Sequence, residues 1–159
     1  MGLIEVSDGY REEDFEADGS LRDVCVLGVD LSVWDRLVQA AVKAPWDYQF
    51  DVNGEPCRLE NFSVRGLFVS KGEGDDVSAR LGIRVGKIWF YCFFFDLQEI
   101  EFSFDPAELE GGQQFGSLEQ FMIWLAETCD RRVVVTMETF RHDEIPALIE
   151  TVKRGTQGP

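Results

Sequence analysis

Between residues 77 and 104 the chain repeats a two-residue hydrophobic period, and this pattern restricts the fold more than any other feature. Val77, Ala79, Leu81, Ile83 and Val85 alternate with Ser78, Arg80, Gly82 and Arg84, so a strand here buries one face and wets the other. Gly86-Lys87 turns the chain. Residues 88–95 (IWFYCFFF) are apolar on both faces, which suits a central strand whose second face is covered or meets a partner. In 98–104, Ile100, Phe102 and Phe104 again oppose Glu99, Glu101 and Ser103. Three such segments joined by short turns predict an antiparallel meander.

The flanks add helices and further strands. Residues 22–28 (RDVCVLG) read as a short strand. Asp30 or Ser32 then caps a helix over about 32–44, with Trp34, Leu37, Val38, Ala41 and Val42 on one face and Pro45 as its stop. Tyr48, Phe50 and Val52 alternate before Asn53-Gly54, a two-residue hairpin signal, and the return strand holds Cys57 and Leu59. Residues 63–70 read as another strand, and 71–76 as a turn. Pro106 ends the meander, with 105–116 a loop. Ser117-x-x-Gln120 has the capping-box pattern for a helix whose apolar face is Leu118, Phe121, Met122 and Leu125. Residues 132–138 form a last strand. Pro146 suits the first turn of a final helix over 144–153 carrying Ile145, Leu148, Ile149 and Val152. The expected fold is α+β, a mostly antiparallel sheet of five to seven strands with two or three helices on one face.

A chain of 159 residues, 45% of them hydrophobic, holds material for one core. Residues 1–20 contain seven acids and one base, Arg11, the composition of a loosely ordered arm. The expected division is therefore arm 1–20, a single domain 21–154 and a frayed tail 155–159.

The net charge is −15, from 15 Lys and Arg against 30 Asp and Glu. Nucleic acid and anionic membranes repel such a chain unless it gathers a basic patch, and only Arg131-Arg132 and Lys153-Arg154 pair bases in sequence. Solubility alone is one reading of this acidity; the functional reading is a surface aimed at a basic protein partner. Cys25, Cys57, Cys92 and Cys129 form no CxxC pair, and a single His cannot complete a Cys₂His₂ zinc site. Free, buried thiols in a reducing compartment are expected. With no signal-peptide pattern and no apolar run of about 20 residues, a cytoplasmic protein is expected.

Residues with catalytic potential are sparse. His142 stands alone, no nucleophile has a GxSxG context, and a surface or capping role is expected for it. No catalytic residue, cofactor or metal ligand is assigned. The carboxylates Asp96, Glu99, Glu101, Asp105, Glu108 and Glu110 fall in a stretch without a base, and Glu99 and Glu101 share a strand face about 7 Å apart. A solvated face ranks first, a negative interaction strip second, and a metal-dependent hydrolase using the 96–110 carboxylates third. As a strip, the contact residues are Asp96, Glu99, Glu101, Asp105 and Glu108, rimmed by Phe115 or Trp124. The aromatic run 89–95 ranks as core. If helices leave the second sheet face open, Trp89, Tyr91, Phe93 and Phe95 become an exposed apolar patch that needs a partner.

Two resemblances refine this. Asn61-Phe62-Ser63-Val64-Arg65-Gly66 resembles the (D/N)xSxxG motif of PilZ domains, which implies cyclic di-GMP contacts from Asn61, Ser63 and Gly66. The companion RxxxR is missing, since no two of Arg11, Arg22, Arg36 and Arg58 lie four apart. The stretch 94–102 (FFDLQEIEF), the set Leu118, Phe121, Met122 and Leu125, and 133–138 (VVVTME) resemble small acidic bacterial immunity-type proteins of polymorphic toxin systems. That resemblance implies a non-enzymatic inhibitor that plugs a basic toxin domain by charge complementarity. A protein-binding module leads the functional ranking, a degenerate PilZ-like nucleotide-binding domain follows, and an enzyme comes third.

Overall fold

The computed structural model describes residues 3–7, 9–139 and 141–154. The expected tail 155–159 lies outside them. Nine strands form one sheet, in the order β1-β9-β8-β2-β7-β6-β5-β3-β4, and every pairing is antiparallel. The strands are β1 (Leu3–Val6), β2 (Arg22–Leu27), β3 (Tyr48–Val52), β4 (Glu55–Pro56), β5 (Ala79–Val85), β6 (Ile88–Cys92), β7 (Glu99–Phe104), β8 (Val133–Met137) and β9 (Ile149–Arg154). Three α-helices, α1 (Leu31–Lys43), α2 (Val64–Gly72) and α3 (Phe115–Cys129), complete the α+β fold.

The meander is present as β5-β6-β7, and its alternation sorts the faces. Leu81, Ile83, Phe90, Ile100, Phe102 and Phe104 are buried on one side. Phe121 of α3 stacks on Phe90 at 3.9 Å between centroids and meets Phe102 edge-on at 5.0 Å. Each such ring contributes about 2 kcal/mol by leaving water. On α1, Trp34 stacks against Phe94 and tilts against Phe68 of α2. Asp30 is the cap of α1, its carboxylate accepting from the Val33 N–H at 3.2 Å. Asn53 and Gly54, both at positive φ, turn β3 into β4.

Five expectations are corrected. The sheet has nine strands, more than five to seven. Residues 63–70 are not a strand but the start of α2. Ser63 Oγ accepts from the Gly66 N–H at 2.9 Å, and Val64 and Leu67, one helical turn apart, are both buried. The final helix is instead β9, where Ile149 and Thr151 point inward and pair with β8 and β1. The acidic arm is built into the fold: β1 pairs with β9, and Phe15 is buried and packs with Tyr10 and Phe115. Lastly, α3 opens at Phe115, leaving Ser117 inside it with its hydroxyl donated back to Gln114 Oε1.

Candidate functional site

Helices cover one face of the sheet. On the other face, cross-strand pairing sets residues of β7, β2 and β8 side by side. Asp23 lies between Ser103 and Thr136, and Cys25 between Glu101 and Val134, while Leu27 faces Glu99. The chain leaving β8 crosses this face before Leu148 N–H rejoins the Val135 carbonyl at 2.7 Å. That crossing carries His142 onto the sheet and buries it to 6% exposure. The expected surface or capping role is thereby corrected, since the imidazole is the centre of a buried polar cluster.

Its Nε2 lies 2.8 Å from Asp23 Oδ2 and 3.1 Å from Glu101 Oε1. Asp23 is itself held from three sides, because Ser103 Oγ donates to Oδ1 at 3.0 Å and the Thr139 N–H donates to Oδ2 at 3.1 Å. On the opposite edge of the ring, Nδ1 lies against Glu99 Oε1. Both atoms are fully buried, and neither makes a directed hydrogen bond. Burial works against a charged imidazole, but hydrogen bonding with Asp23, Cys25 and Glu101 outweighs it and holds His142 up to about 12. Burial likewise pushes Glu99 and Glu101 above the ordinary carboxylate range, against the pull of His142. It also pushes the Cys25 thiol up to about 12. One imidazole therefore faces three carboxyl groups, so acids outnumber bases in the cluster. Two sets of side chains here could hold a cation: Cys25, Glu99 and His142, or Asp23, Glu101 and His142.

Beside the cluster, a half-open groove of about 310 Å³ is lined by Phe95, Asp96, Glu99, Glu101, Thr139 and His142. Its apolar rim comes from a kink. Phe94 has φ 55°, a conformation bulky side chains rarely adopt. Its ring is buried against Trp34, Phe50 and Phe62, and its carbonyl accepts from Lys71 Nζ at 2.6 Å. The kink leaves Phe93 (39% exposed) and Phe95 (69% exposed) stacked on each other at 5.6 Å in solvent. Trp89 and Tyr91 stack farther along the same face, half-buried. The outward aromatic set therefore sits on a face without helical cover.

The acidic strip is divided. Asp96, Glu99 and Glu101 share the groove. Asp105 lies beyond the far end of β7 and accepts from the Ala107 N–H, and Glu108 accepts from the Trp89 N–H. Trp124 packs against Trp46 and Phe121 in the helical layer, and Phe115 packs with Tyr10 and Phe15, so neither rims the groove. Asn61 ends a 3-10 turn, and Ser63 and Gly66 pair at the start of α2, which accounts locally for the SxxG spacing. Cys25, Cys92 and Cys129 are buried thiols as expected, whereas Cys57 is exposed.

Asp23 and Cys25 were missed in the sequence. The signal was there: in RDVCVLG they are the residues that alternate with Val24 and Val26, and a carboxylate inside a central strand requires a buried partner. No helix among the described residues is long and apolar enough to cross a membrane. The chain matches no family model, and no curated protein or solved structure shows significant similarity to it.

Proposed function

We propose that the protein is a non-catalytic binding module that docks a basic protein partner on the uncovered sheet face, at the groove beside Phe93 and Phe95. The observation that carries this reading is two stacked, solvent-exposed phenylalanines set beside Asp96 and a cluster with one imidazole for three carboxyl groups. Exposed apolar groups rimmed by one sign of charge supply both parts of a protein interface: rings to bury and a field to steer the partner. The net charge of −15 turns that field toward cations and away from nucleic acid. A toxin domain with a basic cleft is the partner chemistry that fits best, and the protein would then act as its immunity protein.

The test places substitutions outside the buried cluster, so that folding is untouched. Immobilised protein is presented with extract of the cells that make it, at low and high salt. A basic protein captured at low salt and released at high salt is expected, with Phe95→Ser and Asp96→Lys each weakening capture about tenfold or more. Capture that ignores both salt and these substitutions would sink the proposal.

A further inference from the structure

Independently of any partner, we infer that Cys25 Sγ, His142 Nδ1 and a Glu99 carboxylate oxygen form a binding site for a zinc-class divalent cation, with Asp23 as the residue that positions the imidazole. Thiolate, imidazole and carboxylate together are the donors such ions take, whereas magnesium and calcium require oxygen alone. The three donor atoms already lie within 4.8 Å of one another. Ligands around a tetrahedral zinc stand roughly 3.5 Å apart, so an ion here parts Glu99 Oε1 from the His142 Nδ1 it lies against, and Glu99, the more exposed of the two, is the freer to move.

Three further observations single out this set. First, among the described residues the buried side-chain polar atoms without a directed hydrogen bond are Glu99 Oε1 and His142 Nδ1, which lie against each other and are the two that would face the ion. Buried polar atoms are rarely left without partners, and a bound ion is one way such a pair is satisfied. Second, Nε2 is engaged by Asp23 at 2.8 Å, and Asp23 is fixed by Ser103 and Thr139. A carboxylate on one imidazole nitrogen keeps the proton there and turns the lone pair of the other toward the metal. That argument also disfavours the alternative set, since Asp23 and Nε2 already satisfy each other. Third, the side of the cluster away from the strands opens into the groove lined by Phe95, Asp96 and Thr139. Three protein ligands beside an open space leave a coordination position for water, Asp96 or an incoming ligand, the arrangement of an exchangeable rather than a closed site. On binding, the Cys25 thiol proton and any proton on Nδ1 pass to solvent.

The experiment uses full-length protein carrying Cys57→Ser, which removes the one exposed thiol, stripped with chelator and titrated with Zn²⁺ and Co²⁺. One equivalent is expected to bind at micromolar concentration or tighter, with Co²⁺ giving a thiolate-to-metal charge-transfer band. Cys25→Ser should abolish that band, and His142→Gln should lower affinity at least a hundredfold. Asp23→Asn should keep the band and weaken binding ten- to a hundredfold. Melting curves of the metal-free variants check folding. If His142→Gln does not fold, the near-isosteric Cys25→Ser variant decides through the band alone. No binding at these concentrations overturns the site. So does Co²⁺ binding without a thiolate band, which would place the ion between Asp23 and Glu101, or a band that survives Cys25→Ser.

Discussion

Arg22 and Asp23 are neighbours on β2, yet they point to opposite faces of the sheet and anchor two buried cations by different physics. Arg22, 1% exposed, is held by neutral groups: its guanidinium donates to the carbonyls of Asp14, Glu16 and Leu21 and to Ser20 Oγ. Asp18 approaches only to 3.7 Å from outside. This arrangement ties the N-terminal segment onto the fold. Asp23 instead faces His142, where charge meets charge in a buried setting with more carboxylates than cations. The first site gives every guanidinium nitrogen an acceptor. The second leaves two polar atoms without directed bonds beside a groove. A satisfied network tends to be structural, whereas an unsatisfied one is where a ligand has something to gain.

Removing each cation breaks the comparison most directly. His142→Gln strands three carboxylates without a counter-charge and is expected to cost about 4 kcal/mol in urea unfolding of the metal-free protein at pH 6. Arg22→Met leaves carbonyls that water can reach from the surface and should cost about 2 kcal/mol. Their pH dependence separates them further. The imidazole is held above its ordinary 6.5, up to about 12, so its contribution is complete below pH 6.5 and is lost as pH rises toward 12. Between pH 6 and 8.5 the wild type should lose stability, by at most about 1.4 kcal/mol per pH unit, while His142→Gln stays flat. The Arg22→Met deficit should not change across that window, because carbonyls do not titrate. Equal pH slopes for wild type and His142→Gln would show that the imidazole is neutral in the fold.

The sequence revealed these two sites unequally, for reasons visible in particular residues. The meander and α1 were legible because their periods are local: Leu81, Ile83 and Val85 alternate, and Trp34, Leu37, Val38 and Ala41 fall on one helical face. Residues 64–70 were misread because Val64, Leu67 and Phe68 look apolar enough for a strand, while the decisive contact is the Ser63 cap on Gly66. At 149–154, Ile145, Leu148, Ile149 and Val152 happen to fit a helix, and only pairing with β8 and β1 makes a strand. That pairing links residues 3–6 to 151–154, a separation no local pattern records. The cluster has the same character, since Asp23 and His142 lie 119 positions apart. Glu99 and Glu101 were found because they share a strand face. Their partner could not be, because the segment that delivers it has no period at all.

The finest distinction between the two sites rests on one hydroxyl in each. Ser103 Oγ donates to Asp23 Oδ1, and that oxygen has no other hydrogen-bond donor among the described residues. Ser103→Ala should therefore cost about 1 kcal/mol by leaving part of a buried carboxylate unsolvated. Ser20 Oγ accepts from Arg22 Nη1, but that same nitrogen also reaches the Leu21 carbonyl, and Ser20 is half-buried rather than enclosed. Ser20→Ala should change stability by less than about 0.5 kcal/mol. Chemical denaturation of the two alanine variants, with the metal-free wild type beside them, measures both. If Ser20→Ala proved the costlier, the hub of β2 would be Arg22, and Asp23 would be a bystander to an imidazole held chiefly by Glu99 and Glu101.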